Sequence, residues 1–418
     1  MIAKTTCAAC GQHIEFSDEF AGEKAECPNC GESTILADSA EAVGGMPVKA
    51  ATTPPRRPAG KSPVTPVARR IIENIERAIV DKHQEIVLLM TAYLAEGHVL
   101  LEDVPGVAKT MLARALSRSV GCTFKRIQCT PDLLPNDITG SSVFNPQTAA
   151  FEFRAGPLFA QTVLADEINR ATPRAQSALL EAMAEQKVTV DGVNYELKAP
   201  FFLIATQNPI DHEGTFPLPE AQLDRFLIRM SMGYPHFESE HTMLKRLRLR
   251  HPIETLEPVV SAAEVVECQK LVREAHVDDK VSRYIVQIVH ATRAHQDLYL
   301  GGSPRASIAL FRCAQAFAAN QGYDFVTPDD VKQIAPHVLG HRLILRPESR
   351  LRKKTVAGAI TEILDTVPAP TMPVADNALV TTGAFTGLTI NVSVSSSSPP
   401  ALIALIGMYS VPVGWDQL

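Results

Sequence analysis

The sequence predicts an α/β fold, a parallel sheet between helices, followed by a helical region and preceded by a small cysteine-rich module. Three observations predict this. From about residue 68 to 235, short apolar runs ending in polar or acidic residues alternate with helical periods. From there to residue 367 strand signals fade and helical periodicity dominates. Two CxxC pairs stand near the N-terminus. The resulting division is a cysteine module over 1–37, a Pro-rich flexible linker over 38–67, an α/β core over 68–235, a separate helical domain over 236–367 and a low-charge tail over 368–418.

At 418 residues the chain exceeds one compact domain, and its 45% hydrophobic content suffices for packed cores. The net charge of -6, with both signs well mixed, gives no reason to expect wholesale nucleic-acid binding. No apolar run reaches the length of a membrane span. The longest candidate, between Ala401 and Trp415, is interrupted by Gly407, Ser410 and Pro412. Too few residues precede Cys7 for a secretory apolar core, so the cytoplasm is the expected compartment.

Cys7 and Cys10 are separated from Cys27 and Cys30 by sixteen residues, the spacing of a zinc ribbon. Four thiolates fill a tetrahedral Zn²⁺ site and leave no open position, so the metal is expected to be structural. A disulfide or redox pair is the alternative, opposed by a reducing compartment and by the spacing. Cys122, Cys129, Cys268 and Cys313 show no pairing pattern and are expected to be free.

The chemistry is expected in the α/β region. A strand over 98–102 leads into a Pro/Gly loop and a helix from Lys109 to Val120. Positions 103–110 align with the phosphate loop G-x-x-x-x-G-K-[ST]. Backbone N–H groups of Pro105-to-Ala108 loop residues (Gly106, Val107 and Ala108) and of the helix start would face phosphate, Lys109 would meet the β- and γ-phosphates, and Thr110 would meet Mg²⁺. Both pattern glycines are replaced. Asp103 is expected to end the strand with its side chain turned from phosphate, and Ala108 to enter the helix in a helical conformation. By itself the segment also fits an ordinary strand–turn–helix.

A second apolar strand ends in Asp166-Glu167. Asp166 would hold Mg²⁺, which favours carboxylate oxygen, and Glu167 would polarise the attacking water. A third, over 201–207, ends at Asn208, placed to orient that water if the strand lies between the other two. Arg225 follows in Leu218-Pro-Glu-Ala-Gln-Leu-Asp-Arg225-Phe, expected on a short helix and suited to a neighbour's γ-phosphate. Arg305 stands on the first turn of a helix that Ser303 is expected to cap and Pro304 to start. A cation there opposes the helix dipole, which points to a phosphate partner.

These segments, Leu101–Thr110, Leu164–Met183, Ala205–Pro209 and Glu213–Phe226, resemble MoxR-family AAA+ ATPases over roughly residues 68–367. The resemblance implies a P-loop AAA+ core with a helical lid. It assigns Lys109 and Thr110 to Walker A, Asp166 and Glu167 to Walker B, Asn208 to sensor 1, Arg225 to an arginine finger and Arg305 to sensor 2. It also implies hairpins over 143–154 and 187–198, ATP and Mg²⁺ as cofactors, a homo-hexameric ring and remodelling of partner proteins toward maturation or metal insertion. Von Willebrand factor A proteins are the associated partners. Two other functions stay open: a nucleic-acid-associated ATPase that binds only through the ribbon and linker, and a nucleotide-binding scaffold without hydrolysis.

Overall fold

The computed structural model describes residues 62–104, 106–208, 215–247 and 252–370, and before them strands β1 (Ile2–Thr6), β2 (His13–Ser17), β3 (Lys24–Glu26) and β4 (Ser33–Ile35). The chain divides into two compact units, Met1–Gly60 and Lys61–Leu418. In the first, β1 pairs antiparallel with β2, and β3 with β4. Cys7, Cys10, Cys27 and Cys30 fall in sequence between the paired strands and lie outside the described residues, as do Pro105 and everything beyond residue 370.

The second unit opens with α1 (Thr65–Glu76) and α2 (His83–Leu94). Helix α1 starts inside the stretch expected to be linker, because Pro66 sits in its first turn, where a missing N–H breaks no helical bond. The helical spacing over 68–96 conceals a break between the two helices, where Asp81 takes a left-handed conformation at φ 61°.

Strand β5 (Val99–Glu102) follows, then α3 (Lys109–Val120), β6 (Phe124–Gln128) and the short α4 (Pro135–Thr139). A hairpin of β7 (Gly140–Asn145) and β8 (Ala150–Ala155) precedes β9 (Thr162–Asp166) and α5 (Pro173–Glu185). A second hairpin, β10 (Lys187–Val190) and β11 (Val193–Glu196), turns at Asp191 and Gly192, both at positive φ as a tight two-residue turn requires. Both expected hairpins are present, and Phe153 on one stacks on Tyr195 of the other at 4.1 Å. Strand β12 (Phe202–Gln207), α6 (Glu220–Leu223) and β13 (Ile228–Met230) complete the layer.

The sheet order is β13-β5-β12-β9-β6, parallel throughout. Its strands are apolar on both faces: Val99 and Leu101 of β5 join one buried cluster, Leu100 the other. Such sheets present ligand sites at the carboxyl ends of their strands. Here the ends of β5, β9 and β12 deliver the phosphate loop, Asp166-Glu167 and Asn208 side by side.

The helical region comprises α7 (Phe237–Leu247), α8 (Ala262–Arg273), α9 (Asp279–Ala294), α10 (Pro304–Gln321), α11 (Pro328–Leu339), α12 (Pro347–Leu351) and α13 (Val356–Thr366). A two-stranded sheet, β14 (Leu298–Leu300) with β15 (Ile344–Leu345), is added to what periodicity foresaw. The region does not stand apart as a separate body. One continuous apolar cluster runs from Ile71 and Met90 through Leu101 to Ile285, Leu310 and Val338. The reason is that α10 packs directly on α2, so the two share their apolar faces.

Candidate nucleotide site

The loop between β5 and α3 is built as an anion cradle. Ala108 precedes α3 at φ 62°, ψ 20°, a left-handed conformation and not the helical one expected. This position keeps the backbone geometry for which the pattern has glycine, at a cost of about 1–2 kcal/mol for an L-residue. Helix α3 has no side-chain cap. Among the described residues no acceptor meets the N–H groups of residues 106–111, so these donors converge unpaired at a helix N-terminus. The Thr110 hydroxyl likewise has no protein partner there. The donors fit a polyphosphate.

Asp103 turns away from this cradle, as expected. Its Oδ2 accepts from Ser231 Oγ at 3.0 Å and from the N–H groups of Met232 at 2.6 Å and Gly233 at 2.7 Å, while Oδ1 accepts from Val104 N–H at 2.8 Å. Burial works to raise the carboxyl's pKa, but these bonds outweigh it and hold Asp103 below the usual carboxylate range. The carboxylate thereby ties the end of β5 to the chain after β13. Its backbone carbonyl takes the Lys109 ammonium at 2.7 Å. Burial lowers the Lys109 pKa against the pull of the Asp103, Asp166 and Glu167 charges.

Thr206, on β12, joins the acid pair. It donates to Asp166 Oδ1 at 2.6 Å and accepts the Glu167 N–H at 2.8 Å. Strand β9 ends at Asp166, and Glu167 flips to φ 58°, ψ 51°. The left-handed turn carries the second carboxylate off the strand's alternation, a strain of the kind concentrated at working sites. From β6, Arg126 reaches Asp166 Oδ2 through Nε at 2.9 Å and a terminal nitrogen at 2.6 Å. Gln128 donates to Glu167 Oε2 at 3.1 Å. Just past the end of β6, Cys129 is buried, its thiol pushed up to about 12 by burial and then by the Asp166 and Glu167 charges, so it stays protonated and inert. Asp166 and Thr110 are hard oxygen donors of the kind Mg²⁺ takes, and fit it once Arg126 yields Oδ2. Asn208 is buried at the end of β12, level with Asp103, since Gln207 lies opposite Glu102.

Beside the cradle lies a cavity of about 400 Å³ lined by Ile79, Val80, Val107, Met111, Tyr234 and Met243. Its apolar walls suit a nucleoside base. The two late arginines are not drawn to Lys109 or the acids within the chain. Arg225 stands just past α6 and not on it; it is exposed and donates to the Leu180 carbonyl of α5 at 2.7 Å. Arg305 is exposed on the first turn of α10. Ser303 occupies the cap position but its side chain makes no capping bond: the Ala306 N–H is taken by the Ser303 carbonyl at 2.9 Å, and the Ser303 hydroxyl donates to Asp224 Oδ2 at 3.2 Å. Sequence reasoning missed Arg126, Gln128, Thr206, Asp224 and Arg342. The one available signal was a threonine and a glutamine interrupting the apolar run of β12 at its carboxyl end.

The chain matches the ATPase family associated with various cellular activities (AAA) over residues 98–228 and an AAA lid domain over residues 290–363. It is 51% identical to the uncharacterized protein YeaC of Bacillus subtilis over 305 residues, 73% of this chain and 95% of that one. It is 38% identical to Chaperone MoxR1 of Mycobacterium tuberculosis over 326 residues, 76% and 86% of the two chains. The crystal structure of a candidate ATPase from Cytophaga hutchinsonii superposes with a TM-score of 0.69 at 35% identity, covering 74% of this chain and 96% of that one. AAA+ ATPases usually form hexameric rings, and membership implies ATP hydrolysis and the use of ATP and Mg²⁺. The family matches, the identities to the relatives and the shared fold agree: this chain belongs to the MoxR family of AAA+ ATPases.

Proposed function

We propose that this chain is a ring-forming ATPase that couples ATP turnover to the maturation of partner proteins, including insertion of their metal or cofactor. One observation supports the hydrolytic reading: the loop before Lys109 and the Asp166-Glu167 pair lie at the carboxyl ends of strands of one parallel sheet, at a helix N-terminus without a side-chain cap and beside an apolar cavity.

In this reading Lys109 and the backbone N–H groups of Gly106, Val107 and Ala108, with those of the first turn of α3, hold the triphosphate. Pro105 belongs to the same loop. Thr110 and Asp166 hold Mg²⁺, which neutralises charge building on the phosphate oxygens. Glu167 polarises the attacking water after releasing Gln128, and Asn208 orients it. Arg225 serves the phosphate of the adjoining subunit and Arg305 that of its own. The core over 68–235 and the lid over 236–367 are the two halves of that machine. Cys7, Cys10, Cys27 and Cys30 hold one structural Zn²⁺ in a ribbon over 1–37, joined by the linker over 38–67. The protein works in the cytoplasm on protein partners, among them von Willebrand factor A proteins. Among the described residues no helix is long and apolar enough to cross a membrane.

Glu167→Gln tests the reading. The variant should retain ATP on a filter and release phosphate about 10²–10⁴-fold more slowly than the parent, the range for loss of a general base. Undiminished release overturns the role of Glu167, and failure of the parent to release phosphate overturns the ATPase reading.

A further inference from the structure

The chain segments that carry the two arginines read as acting on different phosphates are joined at one carboxylate. Asp224 immediately precedes Arg225. Its Oδ1 accepts from Arg342 Nε at 2.7 Å and its Oδ2 from Ser303 Oγ at 3.2 Å. Ser303 stands two residues before Arg305, on the rigid start of α10. Arg342, which follows α11, has a side chain only 3% exposed. Its remaining donors go to the Asp224, Phe226 and Leu227 carbonyls at 3.2, 2.6 and 3.2 Å and to the Val338 carbonyl. His341 meets the Phe226 carbonyl as well, at 3.0 Å. Burial lowers the Arg342 pKa and the Asp224 charge counters it, so the guanidinium stays charged.

We infer that Asp224 is a positioning residue that couples the two phosphate sites of a subunit, passing the state of its own nucleotide, met by Arg305, to the arginine it offers its neighbour, Arg225. The inference rests on the roles given to Arg225 and Arg305 above. The coupling is directional in its strengths. The Arg342 side is buried and bonded at five points, so residues 224–227 move with the lid end of α11. The Ser303 side is a single neutral donor to a half-buried carboxylate, and it is the joint that makes or breaks. Movement of α10 toward phosphate carries Ser303 with Arg305, because both lie within one helical turn. That movement pulls or releases the carboxylate next to Arg225. The Ser303 hydroxyl reaches Asp224, 79 residues away in sequence, and caps no N–H of its own helix, so the bond joins two segments without holding the helix start.

Ser303→Ala is the decisive variant, since it removes the joint and no capping bond; Ser303→Thr restores the hydroxyl. For full-length protein, phosphate release is measured against ATP concentration, with binding of a fluorescent ATP analogue and thermal melting alongside. Ser303→Ala should keep analogue affinity within about twofold and melting unchanged, while the rate at saturating ATP falls by about 5-fold or more and the Hill coefficient drops toward one, the scale of an ordinary coupling between sites. Ser303→Thr should return both. Parental rate and steepness in Ser303→Ala, a parent without cooperativity, or parallel loss of affinity and melting temperature each overturn the inference while leaving the ATPase reading standing. A parent that releases no phosphate overturns both.

Discussion

His98 stands just before β5, under the sheet that carries the phosphate loop, and its titration sets a limit on the stability of that sheet. It is buried, accepts the Leu203 N–H at Nδ1 over 3.1 Å and faces the Met183 carbonyl with Nε2 at 3.2 Å. These partners require a neutral ring with its proton on Nε2, since a proton on Nδ1 would face another donor. Burial pushes the imidazole from its ordinary 6.5 down to about 4, only partly opposed by the Met183 bond. Between those values the unfolded chain takes up a proton that the folded chain refuses. The contribution is therefore complete above the ordinary value and is lost as pH falls through this window, at about 1.4 kcal/mol per pH unit. From pH 6.5 to pH 5 the loss is roughly 2 kcal/mol, and it levels off near 3 kcal/mol at about pH 4. His98→Gln keeps a donor for Met183 and titrates nothing. Urea unfolding of both proteins at pH 7 and pH 5 isolates the effect, because His341 and His337, also lowered by burial, titrate alike in the two. The wild type should lose about 2 kcal/mol more than the variant. Equal losses would refute the assignment of a buried neutral ring.

The other predictions concern the site and the cysteine module. Arg126→Ala frees Asp166 Oδ2; the half-exposed ion pair is worth about 0.2–1 kcal/mol, so Mn²⁺ binding followed by electron paramagnetic resonance should tighten by up to about fivefold, whereas weaker binding would show that Arg126 assists the metal. Asp103→Gly restores the pattern glycine but releases Ser231, Met232 and Gly233; unfolding free energy should fall by about 1–3 kcal/mol and the KM for ATP should rise, and an unchanged melt would show the carboxylate to be idle. Mercurial titration of the purified protein should release about one Zn²⁺ per chain, and Cys27→Ser should abolish it; a metal-free preparation with titratable thiols rejects the ribbon.

What was legible in the sequence was local. Strand β5, helix α3, strand β9 and the second hairpin follow from short apolar runs, a Lys–Thr pair after a loop, an acid pair and an Asp-Gly turn, each complete within about a dozen residues, whereas the first hairpin came from the family resemblance. What was not legible depends on partners far along the chain or on rare backbone states. No glycine or proline marks the break between α1 and α2, and Asp81 supplies the left-handed turn unannounced. Ala108 was expected to be helical because alanine favours helix, yet the cradle holds it at positive φ. Nothing in the local sequence marks Arg126 and Gln128; only the register of β6 beside β9 brings them to the acids, 40 and 39 residues away. Ser303 follows the cap rule by position and not by contact: the Ser303 carbonyl takes the Ala306 N–H, and the hydroxyl donates to Asp224.

The same contacts explain why a finger can be poised without being mobile. The backbone of residues 224–227 is held by Arg342, so in the proposed reading Arg225 serves another subunit by swinging its exposed guanidinium, with the neighbouring Asp224 carboxylate set by Ser303. Leaving the Leu180 carbonyl forfeits one charge-assisted hydrogen bond, about 1.5–3 kcal/mol before water replaces it. An arginine that meets transition-state charge in trans is worth about 10³–10⁵ in rate, or roughly 4–7 kcal/mol. The exchange favours delivery whenever a neighbour's phosphate is in reach. Without a neighbour it favours the parked position on α5, so if Arg225 acts in trans as proposed, hydrolysis depends on assembly through the geometry of one side chain.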